Sequence, residues 1–211
     1  MPLPLSLFPP MALWNAVRRT YRRLARPSED AHEREAAATL AETPVFESVP
    51  RRALRALAEA VHTRTFHREE FLYYEGDPGL GLYVVQSGRV RLLAEGESGE
   101  WGELRESGPG EVFGDLSLLG DFLRMETAQA ATETRVLGFF RPDLKTMRRR
   151  HPHAAAAVVE ALARHLARRQ VEVVRLVAEG GDRLRAKRMV ESAALRSGEG
   201  SGSIGATLDE R

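Results

Sequence analysis

Apolar and polar positions change period along this chain, and each change marks an element. Between Met11 and Arg26, Leu13, Trp14, Val17, Tyr21 and Leu24 recur near helical spacing. Arg18, Arg19, Arg22, Arg23 and Arg26 fill the other positions, which predicts a basic amphipathic helix that Pro27 stops. The charged, Ala-rich stretch from Ser28 to Thr43 reads as a linker or weak helix, and folded structure is expected from Val45 and Phe46. Pro50 opens a short helix with Leu54, Leu57, Ala58 and Val61 on one face. Proline suits a first turn because its missing N–H has no helical partner to lose.

From Thr63 to Phe140 the texture becomes short β-type runs, TRTFH, FLYY, LYVVQ, RVRLLAE and RVLGFF, separated by Gly and Asp turns. Strands of that length at that spacing predict a mainly β fold with flanking α elements, a closed antiparallel β-roll (double-stranded β-helix, jelly roll). After Pro142 the helical period returns. Leu144 and Met147 close a short turn, and Ala154 to about Ala178 carries Val158, Leu162, Leu166, Val173 and Leu176 or Val177 along one stripe of a long C-terminal helix. Gly180-Gly181 ends it, Asp182 to about Arg196 could add one more helix, and the Gly/Ser-rich remainder reads as disordered. The expected organisation is a basic helix and linker over 1–43, the roll with its long helix over 44–178, and a short helix and tail over 179–211.

Composition narrows the function classes. The 31 Lys and Arg against 30 Asp and Glu leave a formal charge of +1, so any attraction to nucleic acid or anionic lipid must be local. With no cysteine among the 211 residues, disulfides, thiol catalysis and thiolate metal sites are excluded together. The opening MPLPLSLFPP is broken by proline and precedes the arginines instead of following them, so it is not read as a secretion signal. No run approaches the ~20 apolar residues of a membrane span. A cytoplasmic protein, soluble or at most peripheral, is expected.

The turn pattern Gly76-Asp77, Leu82-Tyr83, Gly88 and Val90, followed by GPGEVFGDLSLLGDFLRMETAQA and a long helix, resembles the cyclic-nucleotide-binding domains of catabolite activator protein and of protein kinase A regulatory subunits. The resemblance spans roughly Val45 to Ala178 and implies a regulatory module, not an enzyme, with cAMP or cGMP as ligand and no further cofactor. In that family a Gly-Glu-Leu-Ala cassette and a later Arg hold the nucleotide, the Glu taking the ribose 2′-hydroxyl and the Arg the cyclic phosphate. Asp115 matches the ribose carboxylate and Arg124 the phosphate arginine. Phe113, Gly114, Asp115, Leu116, Ser117, Arg124, Met125, Glu126 and Thr127 are the candidate ligand-binding residues.

The chain departs from the family pattern at three places. Asp115 is one methylene short of Glu, Ser117 stands for Ala, and Met125-Glu126 occupy positions of small residues. If Arg124 to Glu126 runs as strand, both side chains share a face and a carboxylate sits beside the ligand phosphate. At ~5 Å and an effective dielectric of about 20, that repulsion is roughly 3 kcal/mol. Glu126 could instead pair with Arg124 and close an empty pocket. Bound cyclic nucleotide, a degenerate pocket and another small anion all stay open.

Elsewhere the residues favour plain readings. His151-Pro152-His153 lacks an acidic or Cys partner nearby and is assigned no metal. No Ser-His-Asp or Cys-His grouping is evident. Arg148 to Arg150 and Arg164, Arg168 and Arg169 read as solvated faces, and specific DNA binding is not expected. Residues 154–178 form a candidate homodimer seam that Arg169 and Gln170 interrupt, and 11–26 a candidate peripheral membrane contact. An unidentified protein partner would receive the signal. A truncated catabolite-activator-type transcription regulator is the alternative.

Overall fold

The computed structural model describes residues 31–96 and 100–179. The expected helices at 11–26 and beyond Gly180 lie outside them. Two four-stranded antiparallel sheets form the expected roll. One holds β1 (His62–Phe66), β8 (Thr134–Phe140), β3 (Gly81–Ser87) and β6 (Val112–Phe113) in that order. The other holds β2 (Phe71–Tyr73), β7 (Thr127–Ala130), β4 (Val90–Glu95) and β5 (Trp101–Ser107). The helices are α1 (31–42), α2 (Arg51–Ala58), α3 (Leu116–Leu119), α4 (Arg141–Arg150) and α5 (Pro152–Glu179), with a 3-10 turn at Pro44–Phe46.

The core follows from the period-two alternation of strands. Tyr83 and Val85 of β3 and Val136 of β8 point into the roll, where they meet Phe66, Tyr73, Leu92 and Phe113. Their neighbours Leu82, Val84, Leu137 and Phe139 are buried as well, on the opposite face of the same sheet. α3 contacts β3 and α4 contacts β8. A sheet covered on both faces needs continuous apolar runs, and LYVV and VLGFF supply them. β5 sits at an edge of the other sheet and is exposed apart from Ser107, with Glu103, Arg105 and Glu106 along it. Charge on an edge strand discourages pairing with other chains.

One open alternative is settled and two expectations need correction. Of linker and weak helix, residues 31–42 form the helix, with Ala36 and Leu40 buried and Arg135 of β8 donating to both Glu35 carboxylate oxygens at 2.9 and 3.3 Å. Their spacing of four places both apolar residues on one face, a signal that the surrounding charge obscured. The segment after β8 is a ten-residue helix, α4, begun by the Asp143 carboxylate accepting from the Phe140 N–H at 3.1 Å. α5 starts at Pro152, two residues before Ala154, with proline again in a first turn.

By internal contacts the chain divides into a unit ending at Ala161 and a second beginning at Leu162. In the second, the described part of α5 exposes Val171, Val173, Leu176 and Val177. No helix of the described residues is long and apolar enough to cross a membrane.

If α1 belongs to the fold, Leu40→Ala lowers the unfolding free energy by about 3 kcal/mol, the usual size for a buried leucine truncated to alanine. Urea unfolding of the full chain reads it, and a loss below about 1 kcal/mol would mean that α1 is only loosely attached.

Candidate functional site

The site begins where β6 ends. Phe113 pairs with Tyr83 across the β3–β6 ladder, and its ring stacks on Tyr83 at 5.4 Å. Gly114 then turns the chain at φ +65°, and a Cβ there would collide with the Arg124 guanidinium. Only glycine combines that backbone conformation with that approach. Asp115 is buried and starts the single turn of α3.

The chain returns through Gly120 to Leu123, and the backbone of Arg124 is pinned to the turn before β3. Its N–H donates to the Asp77 carbonyl at 2.8 Å, and its own carbonyl accepts from the Gly76 N–H at 2.9 Å. The side chain runs inward and is only 5% exposed. Nη1 donates to the carbonyls of Gly81 and Gly114, each at 2.9 Å. The guanidinium carbon lies 4.1 Å from the Tyr73 ring centroid and 5.7 Å from that of Tyr83. Carbonyl dipoles and aromatic faces thereby offset the burial of a permanent cation.

Glu126 does not close on Arg124. Its Oε1 accepts from the Tyr73 hydroxyl at 2.8 Å, while the Arg124 Nη1 is taken up by the two carbonyls. β7 begins only at Thr127, so Arg124 to Glu126 is not the strand that would put both side chains on one face. Burial, the nearby Glu126 charge and the hydrogen bond to it hold the Tyr73 phenol far above its ordinary value of 10.0. Tyr73 is therefore a neutral donor, its ring over the cation and its hydroxyl on the carboxylate.

The candidate residues thus separate. Phe113, Gly114, Arg124 and Glu126 gather around Tyr73. Ser117 is buried against the 120–123 segment, its hydroxyl donating to the Phe122 carbonyl at 3.4 Å. The Thr127 hydroxyl accepts from the Glu75 N–H at 2.9 Å and ties β7 to the end of β2. Leu116 is half-buried, and Met125 points outward, 66% exposed. The residues missed are Tyr73, Tyr83 and Gly81. The two tyrosines sit at inward positions of strands flanking the Gly76-Asp77 turn, which strand alternation alone could have flagged. Among the described residues no cluster of His, Cys, Asp and Glu could hold a metal, and His151 and His153 are exposed.

A roll of two antiparallel sheets that delivers an arginine to a glycine cassette between β6 and α3 defines a class, and comparisons agree. Residues 63–151 match the family described as cyclic nucleotide-binding domain. The fold matches the N-terminal domain of a transcriptional regulator from Streptomyces coelicolor with a TM-score of 0.57 and 33% identity, covering 62% of this chain and 93% of that one. The chain belongs to the cyclic nucleotide-binding domain family. It is 33% identical over 131 residues to the cyclic AMP receptor protein of Thermus thermophilus, covering 62% of this chain and 61% of that protein. It is 31% identical over 142 residues to a cAMP-dependent protein kinase regulatory subunit of Emericella nidulans, covering 67% of this chain and 34% of that protein. The chain therefore spans about three fifths of the one relative and a third of the other.

The raised Tyr73 pKa has a consequence for stability. A buried phenol that stays protonated when folded, but ionises near 10.0 when unfolded, makes the unfolded state lose protons first, so its stabilisation is present below pH 10 and declines above it. Each pH unit above that point removes about 1.4 kcal/mol for one such group. Tyr73→Phe is expected to flatten the alkaline fall in unfolding free energy, measured by denaturant titration between pH 9 and 11. An unchanged slope would mean that Tyr73 is not the residue titrating.

Proposed function

We propose that this chain is a regulatory module, without catalysis, in which the family's nucleotide pocket is held in a closed, low-affinity form by its own side chains. The observation that carries the reading is Tyr73, stacked over Arg124 and hydrogen-bonded to Glu126. For a cyclic phosphate to lie against Arg124, the tyrosine must leave the guanidinium face and the Glu126 carboxylate must move away from the incoming anion. In this reading Phe113, Gly114, Asp115 and Arg124 remain the ligand-facing residues, and cAMP or cGMP is the ligand class. Met125, Leu116, Ser117 and Thr127 shape the cassette.

The state of the pocket would pass to a protein partner through the helices that follow the cassette. A homodimer through 154–178 fits that output. Leu166, Val173 and Leu176 keep heptad-like spacing, with Arg169 at the position between them, and the outer valines of α5 are exposed. A second reading, a transcription regulator of the catabolite activator class, is favoured by the likeness to the Thermus receptor and the Streptomyces regulator domain. A sequence-dependent gel shift at physiological salt would select it; its absence favours the first.

Calorimetry with cAMP and cGMP tests the closed pocket. The wild-type chain should bind weakly. Glu126→Ala removes both the repulsion and the partner that holds Tyr73, so it should tighten binding by up to about a hundredfold, the equivalent of roughly 3 kcal/mol. Arg124→Ala should abolish binding, alone or combined with Glu126→Ala. Tight binding by the wild type, left unchanged by Glu126→Ala, would overturn the reading.

A further inference from the structure

A second concavity of about 800 Å³ lies between α3, α4 and the start of α5, away from Arg124. Its floor is apolar, built from Leu118 and Leu144, and one wall is the small-residue face Ala155, Ala156 and Val159 of α5. Side chains that small leave room for another backbone to approach closely. Lys145 and Arg148, three apart on α4 and hence on one face, are exposed along its rim. Neither is ion-paired to a described residue, whereas Arg141, the third cation of the rim, is held by Asp121 and by the Gly79 carbonyl.

The groove continues onto exposed apolar surface. Leu119 borders it at 42% exposed, and Leu80, Phe122 and Leu123 are each more than half exposed. These residues are neighbours through Arg141. Its N–H donates to the Leu80 carbonyl at 2.9 Å, and its guanidinium holds Asp121 beside Phe122. A contiguous apolar surface rimmed by unpaired cations marks an interaction site more often than chance exposure does.

We infer that this groove receives an amphipathic helix of a partner protein whose apolar face is flanked by carboxylates. Three helices line it, and their backbone groups are used internally, so no strand edge is on offer and recognition falls to side chains. Charge then chooses the occupant. A second copy of this chain is a poor candidate because the described part of α5 beyond Ala161 carries Arg164, Arg168, Arg169 and Arg175 against Glu172 and Glu179. The acidic helix α1 has already buried its apolar face, Ala36 and Leu40, in its own roll. An acidic helix from another protein fits both the floor and the rim. Because α3 joins Gly114 to the segment leading to Arg124, such a helix would rest on the element next to the pocket, yet the groove does not depend on what Arg124 binds.

A displayed library of helical peptides, selected against the full-length chain, tests the inference. The enriched sequences should place two carboxylates three or four residues apart beside an apolar face. One such peptide, synthesised and titrated, should lose at least about tenfold in affinity to the Lys145→Glu/Arg148→Glu double variant, as expected for reversing charges at an interface rim. Ala156→Arg, at an exposed position, should block the groove without unfolding the roll, which a thermal melt verifies. No enrichment, enriched peptides without carboxylates, or affinity unmoved by these variants would each overturn the inference. So would concentration-dependent dimerisation in sedimentation that Ala156→Arg and Lys145→Glu/Arg148→Glu both abolish, because the groove, and not only the 154–178 seam, would then hold a second copy.

Discussion

Everything around the pocket depends on the burial of one permanent cation. Arg124 cannot shed its charge, and at 5% exposure it has little access to water. The surroundings must therefore supply what water would have given. Two backbone carbonyls come from different segments, Gly81 at the start of β3 and Gly114 after β6, and two aromatic faces come from Tyr73 and Tyr83. Each demand limits the sequence. Gly114 must be glycine to admit the guanidinium, and a Cβ at Gly81 would strike the Phe139 carbonyl. The backbone of Arg124 also ties the Gly76-Asp77 turn to the cassette, so one residue joins three loops at one end of the roll.

In the proposed reading the same arrangement makes the pocket self-limiting. The Tyr73–Glu126 hydrogen bond has a charged acceptor, for which about 1.5–3 kcal/mol is usual, and a desolvated cation–π contact adds about 2 kcal/mol. A nucleotide that displaces both forfeits about 3.5–5 kcal/mol of binding free energy, on the order of a few hundredfold to a few thousandfold in affinity. Opening the latch is thus a property that a mutation, or a partner resting on α3, could tune without touching the ligand. A regulatory module needs such a free-energy difference between states of its site.

Much of this was legible in the chain because each signal was local. The roll was announced by strand-length apolar runs between Gly and Asp turns, whereas the juxtaposition of Gly114 with Arg124 came from the resemblance to the family's cassette and not from any period in the chain. The helix at 31–42 could not be told from a linker because only Ala36 and Leu40 on its apolar face are buried amid alanine and charge, and its ion pair is to Arg135, 100 residues away. The partner of Glu126 was illegible for a related reason. Repulsion of phosphate and attraction to Arg124 could both be argued from neighbours in sequence, whereas Tyr73, 53 residues away, takes the carboxylate. Contacts between side chains far apart in sequence leave no mark on a periodicity.

Where Tyr73 sits when nucleotide is offered decides whether the pocket is closed. A crystal structure of the wild-type chain grown with millimolar cAMP measures that directly. The closed pocket predicts the Tyr73 ring still over Arg124, its hydroxyl on Glu126, and no phosphate density at the guanidinium. A cyclic phosphate seated on Arg124 with Tyr73 and Glu126 in the positions described would contradict it.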